Sequence, residues 1–178
     1  THIGVYEIKR LISVDRSGFI YSAWNEHLNT QVTVKEYFPA DFAVRRQDGA
    51  SVAAKSAEEE ELYHYGLKNF LRLGDKLSEI HHPSIVGIHN VLKFNNTAYL
   101  IMDQIQGVAI TDLHEAASDF TESELNPILA SVLEALQQVH SKGLAHGDLF
   151  PGNLLIRANG LPVLVNFAAE RLVFATQS

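Results

Sequence analysis

The stretch VHSKGLAHGDLFPGNLLI, Val139 to Ile156, decides how this chain reads, and HGDLFPGN, His146 to Asn153, is its centre. It follows the clearest helical pattern in the sequence and precedes a short apolar hairpin. Asp148 stands five positions before Asn153. A carboxylate can take the proton of a hydroxyl group, and an amide oxygen can help hold a hard divalent cation. The spacing by itself is weak. Its place between a buried helix and a hairpin gives it weight.

Upstream, Thr121 to Gly143 carries the helical signal. Thr121 and Glu124 have the spacing of a capping box. Leu125, Ile128, Leu129, Val132, Leu133, Leu136 and Val139 form a broad apolar stripe, Pro127 falls early enough to be tolerated, and Gly143 suits the C-terminal stop. Downstream, Asn153 to Ile156 and Pro162 to Phe167 read as strands flanking the turn Asn159-Gly160.

Nearer the N-terminus, Tyr6 to Ile12, Phe19 to Trp24 and Gln31 to Tyr37 are rich in β-branched and aromatic residues, with turn residues between them. A polar excursion with Asp48-Gly49 as a tight turn follows. A helix from Glu58 to Glu79 places Phe70, Leu73, Leu77 and Ile80 on one face. Four glutamates, Glu58 to Glu61, match the dipole at its start. After Pro83, strands Ile85 to Phe94 and Thr97 to Met102 are joined by Asn95-Asn96. Five strands and one major helix are thus expected in the first hundred residues. The chain changes character between Met102 and Gly107.

At 178 residues and 46 % hydrophobic, the chain can bury a core. A net charge of −7 argues against broad contact with nucleic acid or an anionic membrane. The absence of cysteine removes disulfides, thiolate metal sites and cysteine nucleophiles. It fits a reducing compartment, and a cytoplasmic location is expected. No apolar run is long enough for a membrane helix. The nine histidines show no metal-ligand spacing, and His81-His82 before Pro83 read as structural.

Through five blocks in order, the sequence resembles the protein-kinase superfamily, in particular bacterial Ser/Thr kinases. KEYFPADFAVRR (Lys35 to Arg46) is similar to the strand-3 lysine segment and HHPSIVGIHNV (His81 to Val91) to the approach to strand 4. AYLIMDQIQG (Ala98 to Gly107) resembles strand 5 and the hinge. The catalytic-loop block and VNFA (Val165 to Ala168, the DFG position) complete the match. The resemblance implies an α+β, bilobal fold. Residues 1–105 would form a five-stranded antiparallel small lobe with its helix C, and residues 106–178 a partial, mainly helical large lobe. It implies ATP as ligand, cradled by Gly18, Met102 (gatekeeper), Asp103, Ile105 and Leu155. Lys35 would contact phosphate, Asp148 would be the base, and Asn153 and Asn166 would be weak metal ligands.

The departures from the family pattern are selective. Of the phosphate-loop glycines only Gly18 remains, and Asp15 stands at the second, adding a negative charge beside an anionic ligand. The helix-C glutamate that should pair with Lys35 is Leu73, with Asp75 and Glu79 as poor substitutes. The HRD arginine is Gly147, a change shared with active small-molecule phosphotransferases. The catalytic-loop lysine is Phe150. The DFG aspartate is Asn166, which weakens Mg²⁺ binding, and Ala168 restricts a backbone flip that glycine permits. No activation loop or APE motif is expected before Ser178, and an unfinished lobe would expose part of helix E. These losses point to a pseudokinase that regulates or scaffolds a protein partner or adjoining domain. A divergent active ATP-dependent phosphotransferase, and a nucleotide-sensing module without turnover, remain as alternatives.

Overall fold

The structure, a computed structural model, describes residues 1–116 and 120–168. Its first half is a sheet built from hairpins. Strands β1 (His2–Ile3), β2 (Tyr6–Asp15), β3 (Gly18–Asn25) and β4 (Thr30–Tyr37) run antiparallel in sequence order. Their turns are closed by side-chain caps. Asp15 Oδ1 accepts from the amides of Ser17 and Gly18, and Asn25 Oδ1 accepts from those of His27 and Leu28. After strands β5 (Ala43–Arg45) and β6 (Val52–Ala54) and helix α1 (Ala57–Ser78), strands β7 (Ile88–Phe94) and β8 (Thr97–Asp103) complete a six-stranded sheet of order β1-β2-β3-β4-β8-β7. The five expected strands are present, with the two-residue β1 added at an edge. Asn95 and Asn96 both adopt left-handed backbone at the β7–β8 turn, a conformation asparagine tolerates.

Alternation along β4 sorts its residues between two faces. Lys35 and Tyr37 point inward, where α1 lays down Phe70, Leu73 and Leu77, with Ile80 just beyond its end. On the outer face Val32 and Val34 join Ile3, Tyr6, Ala23, Tyr99 and Ile101 in a second apolar cluster. Glu36 also faces outward, yet is almost fully buried. Arg45 grips its carboxylate at 2.6 and 2.8 Å, and the hydroxyls of Tyr21 and Tyr99 donate to it at 3.0 and 3.2 Å. Arg45 comes from the β5–β6 hairpin, so the excursion after β4 is a folded unit docked on the sheet. Its three-residue strands are too short for alternation to announce them.

Beyond β8 the chain forms β9 (Val108–Ala109), α2 (Ile110–Ala116), α3 (Glu122–Ser141), a 3₁₀ turn (Pro151–Asn153), β10 (Leu154–Ile156) and β11 (Pro162–Leu164). The capping box forms as expected, with the Thr121 amide donating to Glu124 Oε2 at 2.8 Å. The stripe on α3 divides. Ile128, Val132, Ala135 and Val139 are buried, whereas Leu129 is 53 % and Leu133 65 % exposed. The halves of the molecule are stitched where β11 meets the segment before β7: the Val86 amide donates to Leu164 O at 3.0 Å, and the Leu164 amide to Ser84 O at 2.9 Å.

Candidate functional site

The cleft between the sheet and the α3 half is organised by the loop that follows α3. His146 is buried against the Phe167 ring, 4.3 Å between centroids. Its Nε2 lies 3.0 Å from Val165 O and must donate there. Nδ1 is then the acceptor facing the Asp148 amide at 3.4 Å. This is the neutral tautomer, consistent with burial drawing the His146 pKa below the usual range against the Val165 hydrogen bond and the Asp148 charge. Gly147 has φ +77°, and a Cβ there would come 2.8 Å from Ala168 O and 3.1 Å from Ala168 Cβ. A side chain at position 147 would meet the Ala168 backbone first. Ala168 is pinned in turn, its amide donating to His146 O at 2.9 Å.

Asn153 supports Asp148 directly. Its Nδ2 donates to Asp148 O at 2.8 Å and to Oδ2 at 3.1 Å. Asn166, at φ +59°, points its Nδ2 to Asn153 Oδ1 at 3.4 Å and its Oδ1 toward Lys35. Lys35 is 2 % exposed. Its ammonium meets Asn166 Oδ1 at 2.7 Å, Asp15 Oδ2 at 2.9 Å and Phe167 O at 3.2 Å. An ammonium group has three N–H donors, and three oxygens of the protein use them. A continuous polar chain Asp15–Lys35–Asn166–Asn153–Asp148 thus crosses the cleft.

The partner of Lys35 differs from the sequence-based expectation. Leu73 does face inward, within the apolar core, and leaves the lysine without an acid on α1. Asp75 and Glu79 do not replace it. Asp15 does, because the tight β2–β3 turn folds it down over the lysine: one carboxylate oxygen caps the turn while the other reaches the ammonium. Burial alone would raise the Asp15 pKa, and the Lys35 charge and the Ser17 hydrogen bonds outweigh it, leaving the carboxyl below its usual range. Burial draws the Lys35 ammonium downward, and Asp15 is the main influence opposing it.

In front of this chain lies a cavity of about 230 Å³. Ile20, Val86, Met102, Ile105, Leu155 and Val165 make it largely apolar, and Thr33, Gln104, Asn153 and Asn166 supply polar groups. Met102, Asp103, Ile105 and Leu155, expected around a nucleotide, line it, and so do Asn153 and Asn166, expected as weak metal ligands. Gly18 does not line it: it packs on β4, where a Cβ would fall 2.0 Å from Glu36 O. Lys35 sits behind the lining, beyond Asn166. Thr33, which donates to Gln104 Oε1 at 3.0 Å, was missed. Its place two residues before Lys35 on the same strand face was the available signal. Phe150, half-exposed, lays its ring over Gly152, whose Cβ position is 2.5 Å from it.

Cleft and cavity sit between a curled antiparallel sheet and a helical half, with a lysine on the third long strand and an Asp–Asn pair after α3. The protein kinase domain profile matches residues 40–173. The chain belongs to the protein kinase family. It is 27 % identical over 110 residues to a probable Ser/Thr protein kinase PknB of Lactococcus lactis, covering 62 % of this chain and 18 % of that protein. It is 33 % identical over 92 residues to Ser/Thr protein kinase D of Synechocystis, covering 51 % of this chain and 17 % of that protein. It is 26 % identical over 168 residues to a probable kinase pknA2 of Bifidobacterium longum, covering 94 % of this chain and 20 % of that protein. The chain therefore spans about a fifth of the length of these relatives. Among solved structures, the apo form of PpkA-294 superposes with a TM-score of 0.83 at 24 % identity, over 94 % of this chain and 59 % of that one, which speaks to the fold.

Two features lie outside this site. Among the described residues no helix is long and apolar enough to cross a membrane. The ligand atoms of His2, Glu7 and Glu26 come within 4.8 Å of one another at the exposed β1 edge, a juxtaposition that sequence spacing did not show. The stretch after Ala168, where an activation segment was expected to be lacking, lies outside the described residues.

Proposed function

We propose that this kinase-family domain is catalytically impaired and acts as a regulatory or scaffolding module for a protein partner or an adjoining domain. The observation that carries the reading is the state of Lys35. In an active family member this lysine meets the nucleotide phosphates; here its three donors are used by Asp15, Asn166 and Phe167. Protein kinases use ATP with Mg²⁺, and the residues present fit the two parts of that ligand differently. The apolar cavity beside Met102 suits a planar base. The metal–phosphate end does not fit: Asn166 Oδ1 is engaged by Lys35, Asn153 Oδ1 faces the Asn166 amide at 3.4 Å, and Asn166 offers a neutral oxygen where hard divalent ions favour carboxylates.

The second reading, a divergent phosphotransferase, draws on the Asp148–Asn153 pair, in which the carboxylate is held in place by the asparagine amide. One assay separates the two. Incubation with γ-labelled ATP and Mg²⁺ or Mn²⁺, against the protein itself and a general protein substrate, is expected to yield no transfer above an Asp148→Ala control. Transfer that disappears in that control would falsify the proposal.

A further inference from the structure

We propose that the cleft is a site for an uncharged nucleoside-like ligand, and that Asp15 is the specificity residue that turns away phosphate. This deepens the reading above by naming the ligand class at the same cleft, and rests on it. The Asp15 carboxylate reaches the Lys35 ammonium at 2.9 Å, the place an anionic oxygen of a ligand would need. The carboxylate is held there from behind: Oδ1 accepts from the Ser17 hydroxyl at 2.6 Å, the Ser17 amide at 2.7 Å and the Gly18 amide at 3.0 Å. The turn is tied to β4 on its other side, where Gly18 pairs with Tyr37 and the Phe38 amide donates to Ser17 O at 2.7 Å. The amides that would cradle a phosphate at this turn are thereby spent on Asp15.

A phosphate entering here would have to displace a carboxylate from a buried ammonium and lie beside the displaced negative charge. Like charges a few ångströms apart in a partly dry site repel strongly. A neutral ligand meets none of this. The cavity of about 230 Å³ is smaller than the roughly 300–1,000 Å³ of sites for drug-sized ligands. It is walled by Val86, Met102, Ile105 and Leu155, with the Thr33–Gln104 pair offering donors and acceptors to the edge of a heteroaromatic ring. Ligand phosphate and protein carboxylate are competitors for one ammonium, so specificity resides in a single side chain.

The test is a calorimetric titration of the whole chain with adenosine and with ATP, in the presence of EDTA, for the unaltered protein and for Asp15→Asn. The asparagine keeps an oxygen for the turn amides and removes the charge. The unaltered protein is expected to bind adenosine at least about tenfold more tightly than ATP, a difference of about 1.4 kcal/mol. In Asp15→Asn the ATP affinity should rise by about tenfold or more while that for adenosine stays within about twofold. ATP binding as tightly as adenosine to the unaltered protein overturns the proposal. So does an unchanged ratio in Asp15→Asn, or absence of adenosine binding to a protein shown folded by its melting transition. Should Asp15→Asn fail to fold, Asp15→Ser, which keeps a turn acceptor, takes its place with the same criteria. These outcomes are independent of the transfer assay: an active enzyme would refute catalytic impairment whatever its binding preference, and a nucleotide-preferring inactive protein would refute only the nucleoside assignment.

Discussion

At the scale of single residues, the cleft is a set of paired substitutions. Gly147 and Ala168 fit one another, since the backbone at Ala168 occupies the space a side chain at 147 would need. Asn166, where the family resemblance leads one to expect a charged metal ligand, is an acceptor for Lys35. Asp15, where the resemblance leads one to expect a glycine, is the lysine's counter-charge. The sequence made the losses visible, because each falls at a family position. It hid the gains, because a contact between residues 15 and 35 depends on how a two-residue turn is closed. His146 offers a prediction here. It is buried as a neutral ring, so the unfolded chain binds its proton more readily, and stability must fall as pH drops below about 6.5. The loss cannot exceed about 1.4 kcal/mol per pH unit for this one group. Chemical denaturation between about pH 7 and 5 should show the slope in the unaltered protein and a flatter profile in His146→Gln. Equal slopes would mean that His146 is not the titrating group.

At the scale of elements, helix α1 was legible because its apolar residues recur with helical period, and Phe70, Leu73 and Leu77 do enter the core. The long strands β2, β3, β4, β7 and β8 were legible from composition and turn residues. Of the β5–β6 hairpin only the turn Asp48-Gly49 was legible, and β1 was not: Ala43–Arg45 and Val52–Ala54 mix small alanines with a charge, whereas the equally short β10 and β11 are apolar runs on either side of Asn159-Gly160. The docking of the hairpin depends on Arg45 finding Glu36. The identity of position 73 leads to a second prediction. Restoring the family's acid with Leu73→Glu should not rebuild a lysine–glutamate pair, because Lys35 already has its partners and position 73 is 3 % exposed among apolar side chains. A carboxylate buried there without a partner should lower stability by about 3–5 kcal/mol, measured by denaturant unfolding. A stable Leu73→Glu protein would show that α1 can turn its acid toward Lys35.

At the scale of the whole molecule, the sheet half carries apolar clusters on both faces, whereas α3 buries only one side of its apolar stripe. The sequence indicated the width of that stripe and could not say which part would be covered. Leu129 and Leu133 lie one turn apart on the open side. Replacing both, Leu129→Glu together with Leu133→Lys, sets an acid four residues ahead of a base, the favourable order for a helical ion pair. Stability should change by no more than about 0.5 kcal/mol, as for other surface substitutions. Concentration-dependent light scattering should decrease. A loss of about 2 kcal/mol or more would mean that this face is packed in the free protein.

The central claim is that the cleft has exchanged its metal–phosphate machinery for a hydrogen-bond chain among its own residues. The most direct measurement is a titration of the unaltered protein with ATP, with and without Mg²⁺. Mg²⁺ is expected to leave ATP affinity unchanged within about twofold, less than about 0.4 kcal/mol. A gain of about tenfold or more with Mg²⁺, abolished by Asn166→Ala, would contradict it.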